Sequence, residues 1–406
     1  MKRILFLVDA PLEKNIRAYK TISSLSKLFE ITVIHRVKLE QNSLYYNIKN
    51  TNFFTIPNSI DGFFLRTFFL GNDFSKSFYK YCHDNNLNFL DFEIIYCVDL
   101  WTFPLAVSIK QLTKAKLIYD SYEICVETIS QYYPQQNSFI RQIFFKSWIY
   151  ITKKNAYYIE RKAFKEVDLF VTTCKSYLNY FNDHYSIKNS IIVMNCPYKF
   201  DKIEPINLHK KFQIDISKTI LLYIGNFNSG RKLELIIESA KHLNSNCHIL
   251  FLGEGTLGDS LKKQSQNLPN VSVEGPFEMA NTLNLMKGAD FGILLLETSN
   301  LSKYYASANK VFDFLLLDKP MFLSNTPENL LISKESKKFI ILNDDRPEAI
   351  AKIIDNYILE QHCKQTLNYH NVLSNDIYTW ENQEVLLINA IQNVITQNNS
   401  CSLEST

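Results

Sequence analysis

LLYIGNFNSGRKLELIIESA, residues 221–240, is the stretch of sequence that decides the fold. It begins with an apolar run typical of a buried strand, passes through a polar loop, and ends as an amphipathic helix. Gly225 allows a ligand to approach the backbone, while Arg231 and Lys232 bring two positive charges to the start of the helix. These features are typical of phosphate binding at a helix N-terminus. An ordinary strand-to-helix turn with solvated basic residues is the alternative interpretation.

Apolar runs and amphipathic segments alternate along the whole chain, which predicts βαβ units and mostly parallel sheets. A chain of 406 residues is long enough for two such domains. We therefore predict an α/β protein with two Rossmann-like, doubly wound domains that face each other across a ligand-binding cleft, residues 1–200 and 201–375, with a linker within residues 196–217. Residues 376–396 are expected to form a helix that packs back on the first domain, and residues 397–406 a disordered tail.

Composition excludes several classes of protein. The formal net charge is only +3, so no strong positive field attracts nucleic acid, and we expect no nucleic-acid partner. The 8 cysteines are scattered singly without a CxxC pair, which indicates free thiols in a reducing cytoplasm and predicts no metal site. No apolar stretch approaches the roughly 18 residues needed to span a bilayer, so any membrane contact is expected to be peripheral.

Three later loops follow predicted strands in the second half of the chain. Gly253 and Glu254 end the strand after the first loop, and Gly275 ends the strand after that. NKVFD, residues 309–313, then opens a helix in which a carboxylate lies one turn after a lysine, on the same face. Tight turns at the glycines, and a helix cap beside a surface Lys–Asp pair, are the alternative interpretations of the single loops.

In their order and spacing, these four loops resemble the C-terminal half of glycosyltransferase family 4 enzymes over about Ile220 to Asn325. The family pattern reads roughly YxGxxxxxKG, then GxG after the next strand, then a glycine-rich turn, then PNK[IL][FY]EY followed by GKP. The resemblance implies a GT-B fold with a nucleotide sugar on the C-terminal domain, a UDP-sugar as the expected donor, and neither a metal nor an organic cofactor. The residues that it implies for donor binding are Gly225, Arg231, Lys232, Gly253, Glu254, Gly275, Asn309, Lys310 and Asp313.

The chain departs from the family pattern at three positions in this half. Asp313 stands where the family usually has Glu, Tyr305 stands at the earlier Glu of the paired-Glu spacing, and Asp318 replaces the Gly before Lys-Pro. These substitutions affect the donor loop. They leave open a non-catalytic protein of the same fold that binds a partner or a lipid.

The first half of the chain resembles the same family more loosely. Asp99 ends a strand in YCVDLWTFPLA, and KLIYDSYEICVET is similar to the family's vyDxHE segment, with Tyr122 in place of the usual His. Carboxylates at the ends of adjacent strands favour a general-base or charge-stabilising role for Asp99 and Glu123. Helix capping is the alternative for Glu123 and our expectation for Asp120. Arg17, which matches the Arg of the family's opening segment, and Tyr122 are expected on the acceptor side.

The resemblance implies a retaining hexosyltransferase. It would move a hexose or an N-acetylhexosamine from a nucleoside-diphosphate sugar to a glycan acceptor, lipid-linked in the expected case, during assembly of bacterial lipopolysaccharide, capsule or a similar surface polysaccharide. Because Arg, Lys and helix dipoles stabilise a diphosphate leaving group, most of the catalytic effect is expected from Arg231 and Lys232. A nucleotide-sugar epimerase of the same fold would need a dense set of carboxylates and His in the cleft, which the sequence does not indicate.

An aromatic and basic segment at residues 137–162, NSFIRQIFFKSWIYITKKNAYYIERK, has a composition suited to the lipid interface. FFLRTFFL, residues 63–70, is a second such segment. We therefore expect a cytoplasmic protein, with peripheral contact to the inner face of the cytoplasmic membrane as a hypothesis. The alternative is that both aromatic segments belong to the core.

Overall fold

The structure, a computed structural model, describes residues 1–36, 38–56, 74–132, 139–200, 202–244, 246–298, 300–363 and 375–400. The chain divides into two compact units, Met1–Asn195 with Trp380–Thr406, and Cys196–Thr379. Each unit contains one sheet in which all described strand pairs are parallel. The prediction of an α/β protein with two doubly wound sheets is therefore confirmed. The aromatic segment at residues 63–70 lies outside the described residues.

The first unit is built on a seven-stranded sheet of order β3-β2-β1-β4-β5-β6-β7. Its central strands are buried on both faces, which explains why they occur in the sequence as continuous apolar runs rather than alternating ones. Its strands are β1 Arg3–Val8, β2 Glu30–His35, β3 Thr51–Thr55, β4 Ile94–Val98, β5 Lys116–Ser121, β6 Leu169–Thr172 and β7 Ser190–Ile192. Its first helices are α1 Ile16–Leu25, α2 Phe74–Asp84, α3 Asp99–Thr113, α4 Cys125–Thr128, α5 Phe139–Ala163 and α6 Lys175–His184.

The second unit is built on a six-stranded sheet of order β10-β9-β8-β11-β12-β13. Its strands are β8 Thr219–Ile224, β9 Cys247–Leu252, β10 Val271–Glu274, β11 Phe291–Leu294, β12 Met321–Ser324 and β13 Phe339–Leu342. Its helices are α7 Leu208–Phe212, α8 Leu233–Ala240, α9 Gly258–Ser265, α10 Thr282–Gly288, α11 Leu301–Tyr305, α12 Asn309–Leu316, α13 Pro327–Glu335 and α14 Pro347–Cys363. None of the described helices in either unit combines the length and apolarity that a membrane-spanning helix requires.

The last helix, α15 (Trp380–Ser400), belongs to the first unit. Trp380 is fully buried there, and its indole N–H donates to the Ser24 hydroxyl at 3.0 Å. The Gln383 side chain accepts a hydrogen bond from the backbone of Met194 at 2.8 Å, so α15 also holds the end of the first unit's last strand segment. The polar segment expected to be disordered from residue 397 is helical as far as Ser400, and residues 401–406 lie outside the described residues.

Residues 196–217, expected to be a linker, form part of the second unit. Leu208 on α7 is fully buried, and the backbone N–H of Ile206 donates to the carbonyl of Asn284 at 3.0 Å. The two prolines and the polar residues of this segment predicted an extended connection, but the single apolar face of α7 is sufficient to anchor it. The chain therefore passes from one unit to the other near Asn195, without a long free linker among the described residues.

Candidate functional site

The candidate phosphate site lies where β8 and β11 end side by side. β8 pairs with β9 on one side and with β11 on the other, so the direction of winding reverses here. Open α/β sheets bind ligands at such switch points, outside the carboxyl ends of the strands. The loops that follow these two strands, residues 225–232 and 295–298, are called the donor rim below. Gly230 joins them, because its N–H donates to the Glu297 carboxylate at 3.1 Å and its carbonyl accepts from the Glu297 N–H at 3.0 Å.

Two cations, Arg231 in the donor rim and Lys303 beside it, have no anionic partner among the described residues. Lys303, on α11, was not predicted as a site residue, yet a methyl group built on Gly230 would lie 2.0 Å from its Nζ. Arg231 lies near Tyr223: burial raises the pKa of Tyr223 to about 12, and the positive charge of Arg231 opposes that rise. Neither Arg231 nor Lys303 forms an ion pair with another residue in the part of the chain that the structure describes. The donor rim therefore carries positive charge that is available to an anion.

The third cation, Lys232, is engaged within the protein. Its Nζ lies 2.7 Å from both carboxylate oxygens of Asp345, a residue of the loop after β13 that sequence reasoning did not single out. The Asp345 side chain is 70% exposed, whereas the Lys232 side chain is only 15% exposed. Lys232 also has a left-handed backbone, with φ of 44°, as it caps the start of α8. Lys232 is thus at the predicted place, with its ammonium held by Asp345.

The glycines after β9 allow the loop that follows β9 to pack closely against the loop that follows β8. At Gly253, where φ is +153°, a methyl group would lie 1.8 Å from the backbone oxygen of Gly225. Phe227, in the donor rim, donates its N–H to the carbonyl of Glu254 at 2.7 Å, while the Glu254 side chain is exposed. The two loops therefore touch through their backbones, which places Gly253 and Glu254 beneath the donor rim. Gly275 ends the edge strand β10, two strands or about 10 Å from β8, with open space where its side chain would be.

The predicted donor-sugar loop forms the start of α12. Lys310 Nζ lies 3.2 Å from Asp313 Oδ2, so the expected pair on one face is present. The helix cap is Ala308, which offers no side-chain hydrogen bond, so the alternative in which Asn309 caps the helix is wrong. Just before it, the Ser307 hydroxyl is buried without a hydrogen-bond partner among the described residues. Within the described part of the chain, the first turn of α12 thus presents backbone N–H groups without a side-chain cap.

Asp99 occupies a strained and buried position in the first unit. It follows β4, has a left-handed backbone with φ of +57°, and accepts a hydrogen bond from the backbone N–H of Tyr122 at 2.8 Å. Burial raises the pKa of Asp99 to about 8, and the nearby charge of Glu123 acts in the same direction. The Glu123 side chain is exposed. Strained backbone and a raised pKa at the end of a strand are features of functional carboxylates.

A further carboxylate, Asp9, lies at the switch point of this sheet, where β1 separates β2 from β4. Asp9 directly follows β1, and its carboxylate lies 3.0 Å from the Arg36 guanidinium. Burial raises the pKa of Asp9 to about 6, while Arg36 lowers it. Sequence reasoning missed Asp9, although its place directly after the first strand was the available signal. Asp9 and Asp99 therefore follow neighbouring strands at the expected ligand-binding edge.

Arg17, expected on the acceptor side, is a buried partner of Asp120. The Arg17 side chain is only 4% exposed, and its guanidinium donates to Asp120 Oδ1 at 3.0 Å. The Tyr96 hydroxyl donates to the other oxygen of Asp120 at 2.6 Å. Asp120 lies inside β5, so the expectation that it caps the following helix is wrong. Tyr122 packs its ring 4.8 Å below the Arg17 guanidinium, and its hydroxyl is buried without a partner among the described residues.

The described residues contain no group of three or more His, Cys, Asp or Glu side chains arranged to hold a metal ion. No protein-family model and no curated protein matches the sequence.

Solved structures share the fold. Sucrose-phosphate synthase from Thermosynechococcus elongatus matches with a TM-score of 0.69 and 12% identity, over 98% of this chain and 100% of that one. Anabaena HepE in complex with UDP matches with a TM-score of 0.64 and 13% identity, over the whole of both chains. WaaG, a glycosyltransferase involved in lipopolysaccharide biosynthesis, matches with a TM-score of 0.60 and 10% identity, over 94% of this chain and 99% of that one. The likeness confirms the predicted GT-B fold class, whereas membership of family 4 stays a prediction.

Proposed function

We propose that this protein is a retaining glycosyltransferase that moves a hexose or an N-acetylhexosamine from a UDP-sugar to a glycan acceptor. The observation that carries the proposal is the donor rim beside a switch point, where Arg231 follows Gly230 and the Lys303 ammonium lies against Gly230, neither cation having a carboxylate partner among the described residues. A nucleoside diphosphate fits such a site, because cations and helix N–H groups stabilise the charge that develops on the leaving diphosphate. HepE, which has the same fold, holds UDP in its solved structure.

On the donor side, Arg231 and Lys303 bind the diphosphate in this proposal. Lys232 joins them when the exposed Asp345 side chain turns away, since a diphosphate offers more negative charge than one carboxylate. The uncapped start of α12, with the Ser307 hydroxyl and the Lys310–Asp313 pair, binds the hydroxyls of the ribose and the donor sugar. The positive charges take the place that a metal ion has in other transferases, so the proposed reaction needs no cofactor.

On the acceptor side, the ionised form of Asp99 accepts a proton from the acceptor hydroxyl or stabilises positive charge on the transferred sugar. Glu123, exposed beside it, binds the acceptor. We propose a lipid-linked glycan as the acceptor, in the assembly of a bacterial surface polysaccharide such as lipopolysaccharide or capsule, at the inner face of the cytoplasmic membrane. WaaG, of the same fold, is described as a glycosyltransferase involved in lipopolysaccharide biosynthesis, and this supports the choice of pathway.

Thermal unfolding with UDP, GDP, ADP and CMP tests the donor site. We expect selective stabilisation by UDP, by roughly 2.7 kcal/mol when the ligand is at about a hundred times its Kd. Replacing Arg231 and Lys232 together by Met should abolish the shift, because both charges are lost while the left-handed strain at position 232 stays the same. Lys262 and Lys263, exposed in the last turn of α9, form the matched control pair. Their replacement by Met should leave the UDP shift unchanged.

Two outcomes would change the proposal. If a folded protein shows no shift with any of the four nucleotides, a non-catalytic protein of the same fold that binds a partner becomes the better account, as the substitutions Tyr305 and Asp313 allow. If UDP binds but UDP-glucose, UDP-galactose and their N-acetylated forms are never consumed with an extract of lipid-linked glycans, the transferase activity itself is contradicted.

A further inference from the structure

The first half of α5 exposes large apolar side chains on one broad face. The exposed fractions are 51% for Ile143, 62% for Phe144, 44% for Trp148, 58% for Tyr150 and 62% for Ile151. Successive residues of an α-helix point about 100° apart, so these positions share one broad face of the helix. Phe145 and Ile149, on the opposite face, are half-buried. The exposed face therefore points away from the described part of the first unit.

The second half of the same helix is packed in the ordinary way. Thr152, Ala156, Glu160 and Ala163 are buried, and they form one stripe at helical spacing. The half-buried Phe145 and Ile149 continue this stripe into the first half, so the large apolar side chains on the opposite face have a surface left for a partner. Soluble proteins rarely expose contiguous apolar patches of this kind without a binding role.

The charges of the first half of α5 identify the partner. Arg141 and Lys146 are exposed, Lys154 lies at the junction of the two halves, and the helix has no acidic residue before Glu160. The Lys154 ammonium lies 4.7 Å above the ring of Tyr150, so a cation and an aromatic ring form one mixed surface. A groove beside it is lined by Trp148, Ile151 and Tyr158 together with Lys154. A second copy of the chain would bring like charges together, whereas an anionic lipid surface is complementary to them.

We propose that residues 141–154, called the basic aromatic end of α5 below, bind the headgroup region of an anionic lipid bilayer. Trp and Tyr side chains are suited to the membrane–water interface because each has an apolar ring and a polar tip. Lysines beside them interact with anionic headgroups and bury their aliphatic stems. The surface belongs to the first unit and uses no residue of the donor rim, so the inference stands apart from the proposed transfer reaction.

Sedimentation of the full-length protein with vesicles tests the surface. We expect binding to vesicles of equal parts phosphatidylglycerol and phosphatidylcholine, and binding weaker by about tenfold or more to pure phosphatidylcholine. Phe144→Ser with Trp148→Ser should reduce binding to the mixed vesicles by about tenfold or more, because both side chains are largely exposed and supply apolar contact with the lipid interface. Lys146→Ser with Lys154→Ser should reduce binding by a similar factor and remove the dependence on salt.

Ile216→Ser with Met279→Ser is the matched control, since these side chains are 79% and 68% exposed but lie on the second unit. It should bind the vesicles as the wild type does. The proposal is overturned if the wild type stays in the supernatant with mixed vesicles, or if both α5 variants still sediment. A dimer that the Phe144 and Trp148 changes convert to a monomer, without vesicle binding, would assign the surface to a second copy instead. UDP stabilisation of each variant, measured in parallel, reports on the donor site independently.

Discussion

The ammonium group of Lys303 lies against Gly230, at the point where the two loops of the donor rim are joined through Glu297. The φ of +93° at Gly230 favours glycine, and a methyl group there would lie 2.9 Å from Lys303 Cε, so the lysine side chain would have to move. Besides adopting this backbone conformation, Gly230 leaves room for the Lys303 side chain. It lets a lysine from a different element reach the rim beside Arg231.

Replacing Lys303 by Ala should weaken the binding of UDP by roughly tenfold to a hundredfold, because a hydrogen bond to a charged group contributes about 1.5–3 kcal/mol. Isothermal titration calorimetry with UDP measures the change. Lys334→Ala is the control. This lysine is exposed in the last turn of α13, the helix that leads into the edge strand β13, and its loss should not change the affinity for UDP. Equal affinity in the Lys303 variant and the wild type would remove Lys303 from the site.

Much of the fold could be predicted because a strand buried on both faces needs a continuous apolar run. The apolar runs at residues 94–98 and 169–172 predict strands with the bounds that β4 and β6 have. No strand is predicted at residues 51–55, since β3 is an edge strand with the sequence TNFFT, in which only two residues are apolar. An edge strand buries less surface, and its sequence therefore has a weaker apolar signal.

The site could be predicted only where its residues follow strands directly. Arg231 and Asp99 were found in this way. Lys303 and Asp345 reach the donor rim through tertiary contacts between distant segments, which no local spacing records. At Asp318 the local sequence pattern does have a structural explanation. Its backbone is left-handed, with φ of +57°, which is the conformation that favours the Gly of the family pattern. The Asp318 side chain forms an ion pair with Lys338.

Gly253→Ala should destabilise the protein by roughly 3 kcal/mol or more and abolish UDP binding. The added methyl group would collide with the backbone oxygen of Gly225, and alanine disfavours a φ of +153°. Gly275→Ala is a matched control, because nothing lies within 4 Å of the position that its methyl group would take. Urea unfolding of both variants measures the difference. The packing role of Gly253 is contradicted if the two variants are equally stable.

Transfer activity should rise with pH to about pH 8 and then level off. Either role proposed for Asp99 needs the ionised carboxylate, and a pKa of about 8 means that most of it is protonated at neutral pH. Below that pKa, kcat/KM should therefore increase about tenfold per pH unit. Asp99→Asn should lower kcat by roughly a hundredfold to ten-thousandfold and remove this dependence, without loss of UDP stabilisation. A profile that is flat from about pH 6 to pH 9 in the wild type would exclude the role.

Arg17→Met should destabilise the protein by roughly 3–5 kcal/mol, because it leaves Asp120 buried without its cationic partner. Asp120→Asn should destabilise the protein by a similar amount, because it leaves Arg17 buried without its anionic partner. The double variant should lose less than the sum of the two, since no uncompensated charge remains. Chemical unfolding of the three variants gives the coupling free energy. An Arg17→Met protein with wild-type stability but impaired acceptor binding would support the acceptor-side role expected from the sequence.

Glu160 should make the first unit less stable as pH rises. Its carboxylate is 1% exposed, accepts from the Tyr119 hydroxyl at 2.8 Å, and also accepts from the Tyr185 hydroxyl. Burial raises its pKa from 4.5 to about 7. Between these values the unfolded chain has lost a proton that the folded protein keeps, so the unfolded state binds fewer protons and the free energy of unfolding falls as pH rises. The total loss is roughly 3 kcal/mol, complete above about pH 7.

Glu160→Gln cannot ionise, so its stability relative to the wild type should improve by roughly 3 kcal/mol between about pH 4.5 and pH 8. Urea unfolding of both proteins at the two pH values measures this change, and titration of all other carboxyl groups cancels in the comparison. Glu204→Gln is the control, because the Glu204 side chain is 72% exposed, and its stability relative to the wild type should hardly depend on pH. The prediction is contradicted if the free energies of unfolding of both variants change with pH as that of the wild type does. Glu160 would then ionise normally in the folded protein, because hydrogen bonds from its two tyrosine partners offset the effect of burial.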